Sequence, residues 1–206
     1  GGAFYAALDA DTEGEEGKTT LWNPEQIMAV LGNETGERFC EAYGINSEGN
    51  FEASGMSNPA LLDGDPETRE ALADARQQLL QARNKRPQPG RDDKLLTAWN
   101  ALLVRGFAQA AFTFGRKDWL EMALQLGDWI WNTMCHDTDR LYSVAYGDEP
   151  KGNGTLDDTA NSAQAFLSLS AIADWHEPGQ AAVWSERART LAEAVLTRFR
   201  DSRETG

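Results

Sequence analysis

The chain is short of cysteine, histidine and cationic side chains, and each shortage removes a class of function. Its 206 residues include two cysteines and two histidines. Cys40 and Cys135 stand alone, with no second Cys or His at metal-ligand or redox spacing, so neither a zinc site nor a dithiol exchange centre can be built from them. Both are read as buried structural thiols, and no metal or cofactor set is legible. His136 and His176 sit beside Asp137 and Glu177 near expected helix ends, where the dipole favours a cation, and are read as surface or capping residues. Lys and Arg number 19 against 33 Asp and Glu, a formal charge of −14. Such a chain lacks the basic footprint that nucleic acid or an anionic membrane requires, so neither is an expected partner. No apolar run reaches the roughly 20 residues needed to span a bilayer, and no charged, then apolar, then small-residue leader opens the chain. A cytoplasmic setting is favoured. The chain opens on Gly1-Gly2-Ala3-Phe4 and closes at Gly206 just after an expected helix, which reads as a piece of a longer protein.

What is present is apolar and periodic. With 41% apolar residues and seven Trp there is ample material for a core, and part of it is written twice at an offset of 65. Asp92 and Asp93 align with Asp157 and Asp158, Ala98 with Ala163, Leu102 with Leu167, Val104 with Leu169, Phe107 with Ile172 and Ala108 with Ala173. A second helix follows in each copy, where Trp119 aligns with Trp184, Ala123 with Ala188, Leu126 with Leu191, Ile130 with Val195 and Met134 with Phe199. Steps of three and four residues preserve one apolar face per helix. Each unit is a helical hairpin with an acidic pair at its entrance, and such hairpins need neighbours to bury their faces.

Helices are expected near residues 93–114, 117–135, 157–175 and 180–200, with a short strand at 141–146 between the second and third. Upstream, Phe4–Asp9 and Lys18–Trp22 read as strands around the acidic loop 9–17. Asn23 with Pro24 opens a short helix that Gly32 stops, another turn or two spans Glu37–Tyr43, and Asp65 with Pro66 opens a helix running to about Asn84. Residues 44–64 carry turn residues without periodicity and form a surface loop. The fold class expected is all-α, a partial (α/α)6 toroid of helical hairpins with short β-hairpins in its rim loops.

Several segments, Gly2-Ala-Phe-Tyr-Ala-Ala-Leu-Asp-Ala-Asp-Thr-Glu-Gly-Glu-Glu-Gly-Lys18, Gly49-Asn-Phe-Glu52, Arg86-Pro87, Arg91-Asp-Asp-Lys94, Leu96-Thr-Ala-Trp-Asn100 and Leu156-Asp-Asp158, resemble the YyaL-like thioredoxin-domain-containing proteins. The resemblance implies an N-terminal thioredoxin-like domain followed by an (α/α)6 toroid similar to those of six-hairpin glycosidases and N-acylglucosamine 2-epimerases. Residues 1–206 would be a fragment of that toroid, with the thioredoxin-like domain and the remainder of the ring absent. The chain departs from the family pattern at Thr19-Thr20, Ala53, Ala101 and Thr159; an aromatic replaced by Thr159 weakens sugar stacking.

If both acidic pairs open inner helices they share a rim, and convergent carboxylates are what glycoside hydrolysis uses as acid, base or nucleophile. The candidate catalytic residues are therefore Asp93, Asp158, Asp92 and Asp157. Against this stands the plain role of Asp at a helix start, which is to accept backbone N–H bonds. Trp99 and Asn100 offer an aromatic face beside an amide, with core packing as the alternative for Trp99. Arg91 and Lys94 flank the first pair and hold it ionised. Asp9, Asp11, Glu13 and Lys18 on the acidic loop, with Trp22 beyond it, complete the candidate substrate-binding set; Thr20 in place of Glu at the twelfth position and strand-like flanks argue against an EF-hand. The expected function is recognition of a sugar or oligosaccharide, as a hydrolase or isomerase. The alternative is a non-catalytic binding or scaffold module acting with the thioredoxin-like domain. Apolar faces at Ile130, Trp131 and Phe199 are expected to lack partners, and the fragment to dimerise through them.

Overall fold

Three helices among the described residues start at a side-chain cap that the sequence supplies, and the sheet sets the start of one that has none. In a computed structural model describing residues 2–62, 64–137 and 139–200, the chain is mostly helical with short strands, and eight α-helices form among the described residues. It divides into two compact units, Leu8–Arg91 and Gly1–Ala7 with Asp92–Gly206.

In the unit Leu8–Arg91, helix α1 (Pro24–Leu31) begins with a reciprocal cap. Asn23 Oδ1 accepts from Gln26 N at 2.9 Å and Gln26 Oε1 accepts from Asn23 N at 3.3 Å, two orphan donors satisfied at once. Gly32 (φ 77°) ends it, and α2 (Asn33–Tyr43) follows directly, earlier than the expected start at Glu37. The helix expected from Pro66 is broken in two, α3 (Pro66–Ala71) and α4 (Ala73–Arg83), by Leu72 at φ −102°, ψ 16°. Leu72 is buried in a cluster with Ile27, Phe39 and Tyr43, so burial of one leucine outweighs helix continuity. The expected Phe4–Asp9 and Lys18–Trp22 hairpin is replaced by a tighter one inside the acidic loop, Asp11–Thr12 against Glu15–Glu16. Glu13 and Gly14, at φ 56° and 80°, supply the left-handed pair that a two-residue hairpin turn demands. Buried Thr12 and Thr19 share a hydroxyl hydrogen bond of 2.9 Å, and Thr19 Oγ1 donates to Pro87 O at 2.6 Å, which fixes the base of this hairpin.

The second unit contains the repeats. Helices α5 (Thr97–Phe114) and α6 (Lys117–Trp129) form one hairpin, and α7 (Leu156–Ser170) and α8 (Gln180–Arg198) the other. Helix α5 packs on α6 and α7, and α7 on α8. Equivalent positions share a fate: Val104 and Leu169 are both fully buried, as are Leu126 and Leu191, with Ala108, Ala173, Ala123 and Ala188 beside them. Between the hairpins, the strand Arg140–Tyr146 pairs antiparallel with Lys94–Leu96, Cys135–His136 and Glu149–Asn153. This sheet corrects three expectations. Helix α5 starts at Thr97 and not at Asp93, because Lys94–Leu96 is held as a strand with Leu95 buried. The α6 segment leaves the α-helix at Trp129, passes through a π-helical turn at Ile130–Met134, and enters the sheet at Cys135. His136 consequently lies on a strand, stacked on Tyr142 at 4.3 Å between ring centroids. Ile130 is fully buried and Trp131 packs edge-on against Phe166, so neither lacks partners. Exposed apolar side chains in this unit include Trp99, Leu102, Phe112, Phe114, Leu167 and Leu196.

Candidate functional site

The acidic pairs, equivalent in sequence, have different surroundings. Asp158 is the third residue of α7 and 4% exposed. Its Oδ2 accepts from Thr155 N at 2.8 Å and Thr155 Oγ1 at 2.9 Å, while Thr155 Oγ1 in turn accepts from Asp158 N at 3.3 Å. Its Oδ1 accepts from Ala98 N at 3.0 Å. That last bond joins two helices. Helix α5 has Leu96 at its N-cap, with no side chain able to accept a hydrogen bond, so one orphan donor of its first turn is satisfied by a carboxylate from α7. The bond also sets the N-terminal ends of α5 and α7 side by side, so one buried charge meets the positive ends of both helix dipoles. Asp157, its neighbour, is exposed in the first turn of α7.

The first pair has no helix to cap. Asp92 accepts from Lys94 N at 3.2 Å and lies 3.0 Å from Lys94 Nζ. The Lys94 ammonium, through that hydrogen bond, holds the Asp92 carboxyl below the usual carboxylate range, and Asp92 reciprocally raises Lys94. A carboxylate held ionised is unsuited to donate a proton to a leaving group. Asp93 is exposed in the same segment.

Asn100 and Trp99 are adjacent in sequence and opposite in setting. Asn100 is 1% exposed. Its Oδ1 accepts from Phe4 N at 2.8 Å, and its Nδ2 donates to Phe4 O at 3.1 Å and Leu96 O at 2.9 Å. Both amide hydrogens are thereby occupied in tying the N-terminal segment to α5. Trp99 is 54% exposed and, with Phe4, Tyr5 and Leu103, walls an open cavity of about 340 Å³. Among the described residues no carboxylate lines it. Thr159 is fully buried with its hydroxyl on Thr155 O at 3.0 Å, so this position is internal and offers no face to a ligand.

The remaining candidates belong to the unit Leu8–Arg91. Asp9 Oδ1 accepts from Asp11 N at 3.1 Å, and Lys18 Nζ reaches Glu13 at 3.3 Å and Glu15 at 3.0 Å, so Lys18 is held by two of the loop's carboxylates. The two glutamates raise the Lys18 ammonium through these hydrogen bonds. Trp22 is 5% exposed, with the Arg86 guanidinium 3.8 Å over its ring, and Arg91 is exposed. Sequence reasoning missed Thr155, although its signal was present: Thr155-Leu-Asp-Asp158 has capping-box spacing with Asp in the reciprocal place.

No protein-family profile matches the chain. It is 26% identical over 245 aligned positions to spermatogenesis-associated protein 20 of Rattus norvegicus, covering 100% of this chain and 31% of that protein. The Homo sapiens protein of the same name is 25% identical with the same coverage. An uncharacterised protein of Caenorhabditis elegans is 25% identical over 207 positions, 82% of this chain and 28% of that protein. The chain thus spans about a third of the length of the curated relatives it matches.

Proposed function

We propose that the hairpins α5–α6 and α7–α8 are an arc of an (α/α)6 toroid of the YyaL-like kind, serving as a non-catalytic binding or scaffold module beside a thioredoxin-like domain of the same protein. The observation that carries this reading is the bonding of Asp158. A general acid or nucleophile needs a carboxyl oxygen facing substrate, whereas both oxygens of Asp158 accept hydrogen bonds from helix starts. Asp92 is held by Lys94 and Asn100 by Phe4 and Leu96, which leaves the Trp99 cavity without an acid and base. The N-terminal ends of α5 and α7 are tied together and each helix packs on its hairpin partner, which supports reading both as inner helices of such a ring.

A second reading, recognition of a sugar or oligosaccharide without turnover, is favoured by Trp99, whose exposed ring beside Phe4 and Tyr5 offers a stacking surface. One experiment separates the two: a thermal-shift screen of the complete parent protein against mono- and oligosaccharides, with Trp99→Ala alongside. Ligand binding to the native state raises stability by RT ln(1 + [L]/Kd). The scaffold reading predicts no saturable shift with any sugar. A saturable shift abolished by Trp99→Ala overturns it in favour of sugar recognition.

A further inference from the structure

The unit Leu8–Arg91 holds a second cavity, small and open, of about 180 Å³. Its floor is made by the buried rings of Trp22, Phe39 and Tyr43, with Leu79 beside them and Arg76 and Arg83 at the rim. Phe39 and Tyr43 stack face to face at 4.2 Å between centroids with their planes 7° apart, so the two rings support one another beneath the cavity.

The rim is cationic in a chain of net charge −14. Arg76 Nη1 donates to Tyr43 Oη at 3.2 Å and also to Arg69 O, which orients its guanidinium and leaves further N–H groups unused. Arg86 lies over Trp22, fixed by Nη1 donation to Leu21 O at 2.7 Å and Thr19 O at 3.1 Å. Among the described residues none of Arg76, Arg83 and Arg86 has a carboxylate within 4.0 Å, whereas Arg116, Arg187 and Arg189 each have one. Arg83 stands close enough to Arg86 to lower its pKa by like-charge repulsion, on top of the larger effect of burial. Guanidinium groups gathered without counter-ions beside an apolar floor are matched by an anion that carries an apolar body.

We propose that this cavity binds a small organic acid, an aromatic or branched aliphatic group seated on the Trp22, Phe39 and Tyr43 floor with its carboxylate held by Arg76 and Arg83. The volume matches one ring or one branched chain and falls below the roughly 300 Å³ at which most small-molecule sites begin.

Phenylacetate, its neutral isostere phenylacetamide and the cation phenethylamine probe the site, each titrated into the 206-residue protein by ligand-observed NMR. The expected result is saturable phenylacetate binding with Kd on the order of 1 mM, the range open to a ligand of that size. Phenylacetamide then binds roughly tenfold more weakly, phenethylamine not at all, and raised salt weakens phenylacetate alone. Arg83→Gln, at a side chain that holds no other group among the described residues, weakens phenylacetate by roughly tenfold while circular dichroism and Tm are unchanged. Arg76→Gln weakens it as well, and guards against a fortuitous result at one arginine. Equal binding of phenylacetate and phenylacetamide overturns the proposal. So does the absence of saturable phenylacetate binding, including the case in which an acidic peptide binds instead.

Discussion

Replacing Asp158 with alanine removes a carboxylate that accepts from Thr155 N, Thr155 Oγ1 and Ala98 N at 2.8, 2.9 and 3.0 Å. With the side chain 4% exposed, water does not readily replace it. Two backbone donors, one at the start of each of two helices, lose their acceptor. An unsatisfied buried donor costs about 1–3 kcal/mol and loss of an N-cap about 0.5–2 kcal/mol. Because the bonds share one acceptor group the terms are not additive, and about 3 kcal/mol is the expected total. For a domain of this size that lowers Tm by roughly 6–12 °C. Asp157→Ala, one residue away and exposed, changes stability by less than about 0.5 kcal/mol. Urea unfolding followed by tryptophan fluorescence compares the two, and hydrogen exchange at the Ala98 amide localises the effect. If Asp158→Ala unfolds at the same urea concentration as Asp157→Ala, the double-cap account is refuted.

Gly127→Ala sets a Cβ 2.6 Å from Leu169 Cδ1 and 2.9 Å from Trp184 Cη2, so despite its better helix propensity it destabilises by about 1–3 kcal/mol, read as a lower urea midpoint. Asn100→Ala removes bonds to Phe4 and Leu96 and costs about 2 kcal/mol, with limited proteolysis then cutting first near residues 2–6. Burial pushes the Cys135 thiol up to about 11, so iodoacetamide alkylates it far more slowly than a free thiol between pH 7 and 9. The folded pKa being the raised one, folding keeps the thiol protonated where the unfolded chain ionises it, and stability falls as pH rises from the ordinary thiol range towards 11. Asp92, lowered by Lys94, contributes stability that is present above the ordinary carboxylate range and lost as pH falls through its lowered pKa; Lys94→Met moves its NMR titration up towards the ordinary range, the bond from the residue 94 backbone N–H being kept.

The helical hairpins were legible because the signal is redundant. Burial at Val104 and Leu169, at Ala123 and Ala188, and at Leu126 and Leu191 repeats at an offset of 65, and steps of three and four leave no other periodic solution. The caps at Asn23 and Asp65 were legible for a local reason, since an acceptor followed by proline favours helix initiation with few competitors. The roles of the acidic pairs were not. Repeat alignment places Asp93 on Asp158, but strand pairing of Lys94–Leu96 with Val144–Tyr146 delays α5, and that pairing is non-local. The bond from Ala98 to Asp158 spans 60 residues, so no window in either repeat contains it. The stacking of Arg86 over Trp22 was not legible, because the arginine comes from far along the chain. The break at Leu72 follows the same rule, a core position overriding a local helix.

The central claim is that the buried carboxylate at the junction of α5 and α7 is architectural. Asp158→Asn, measured for Tm and for hydrolysis or isomerisation of a sugar panel, tests it most directly. The account predicts a lowered Tm with no turnover in either protein. Turnover by the wild type that vanishes in Asp158→Asn while Tm stays unchanged would contradict it.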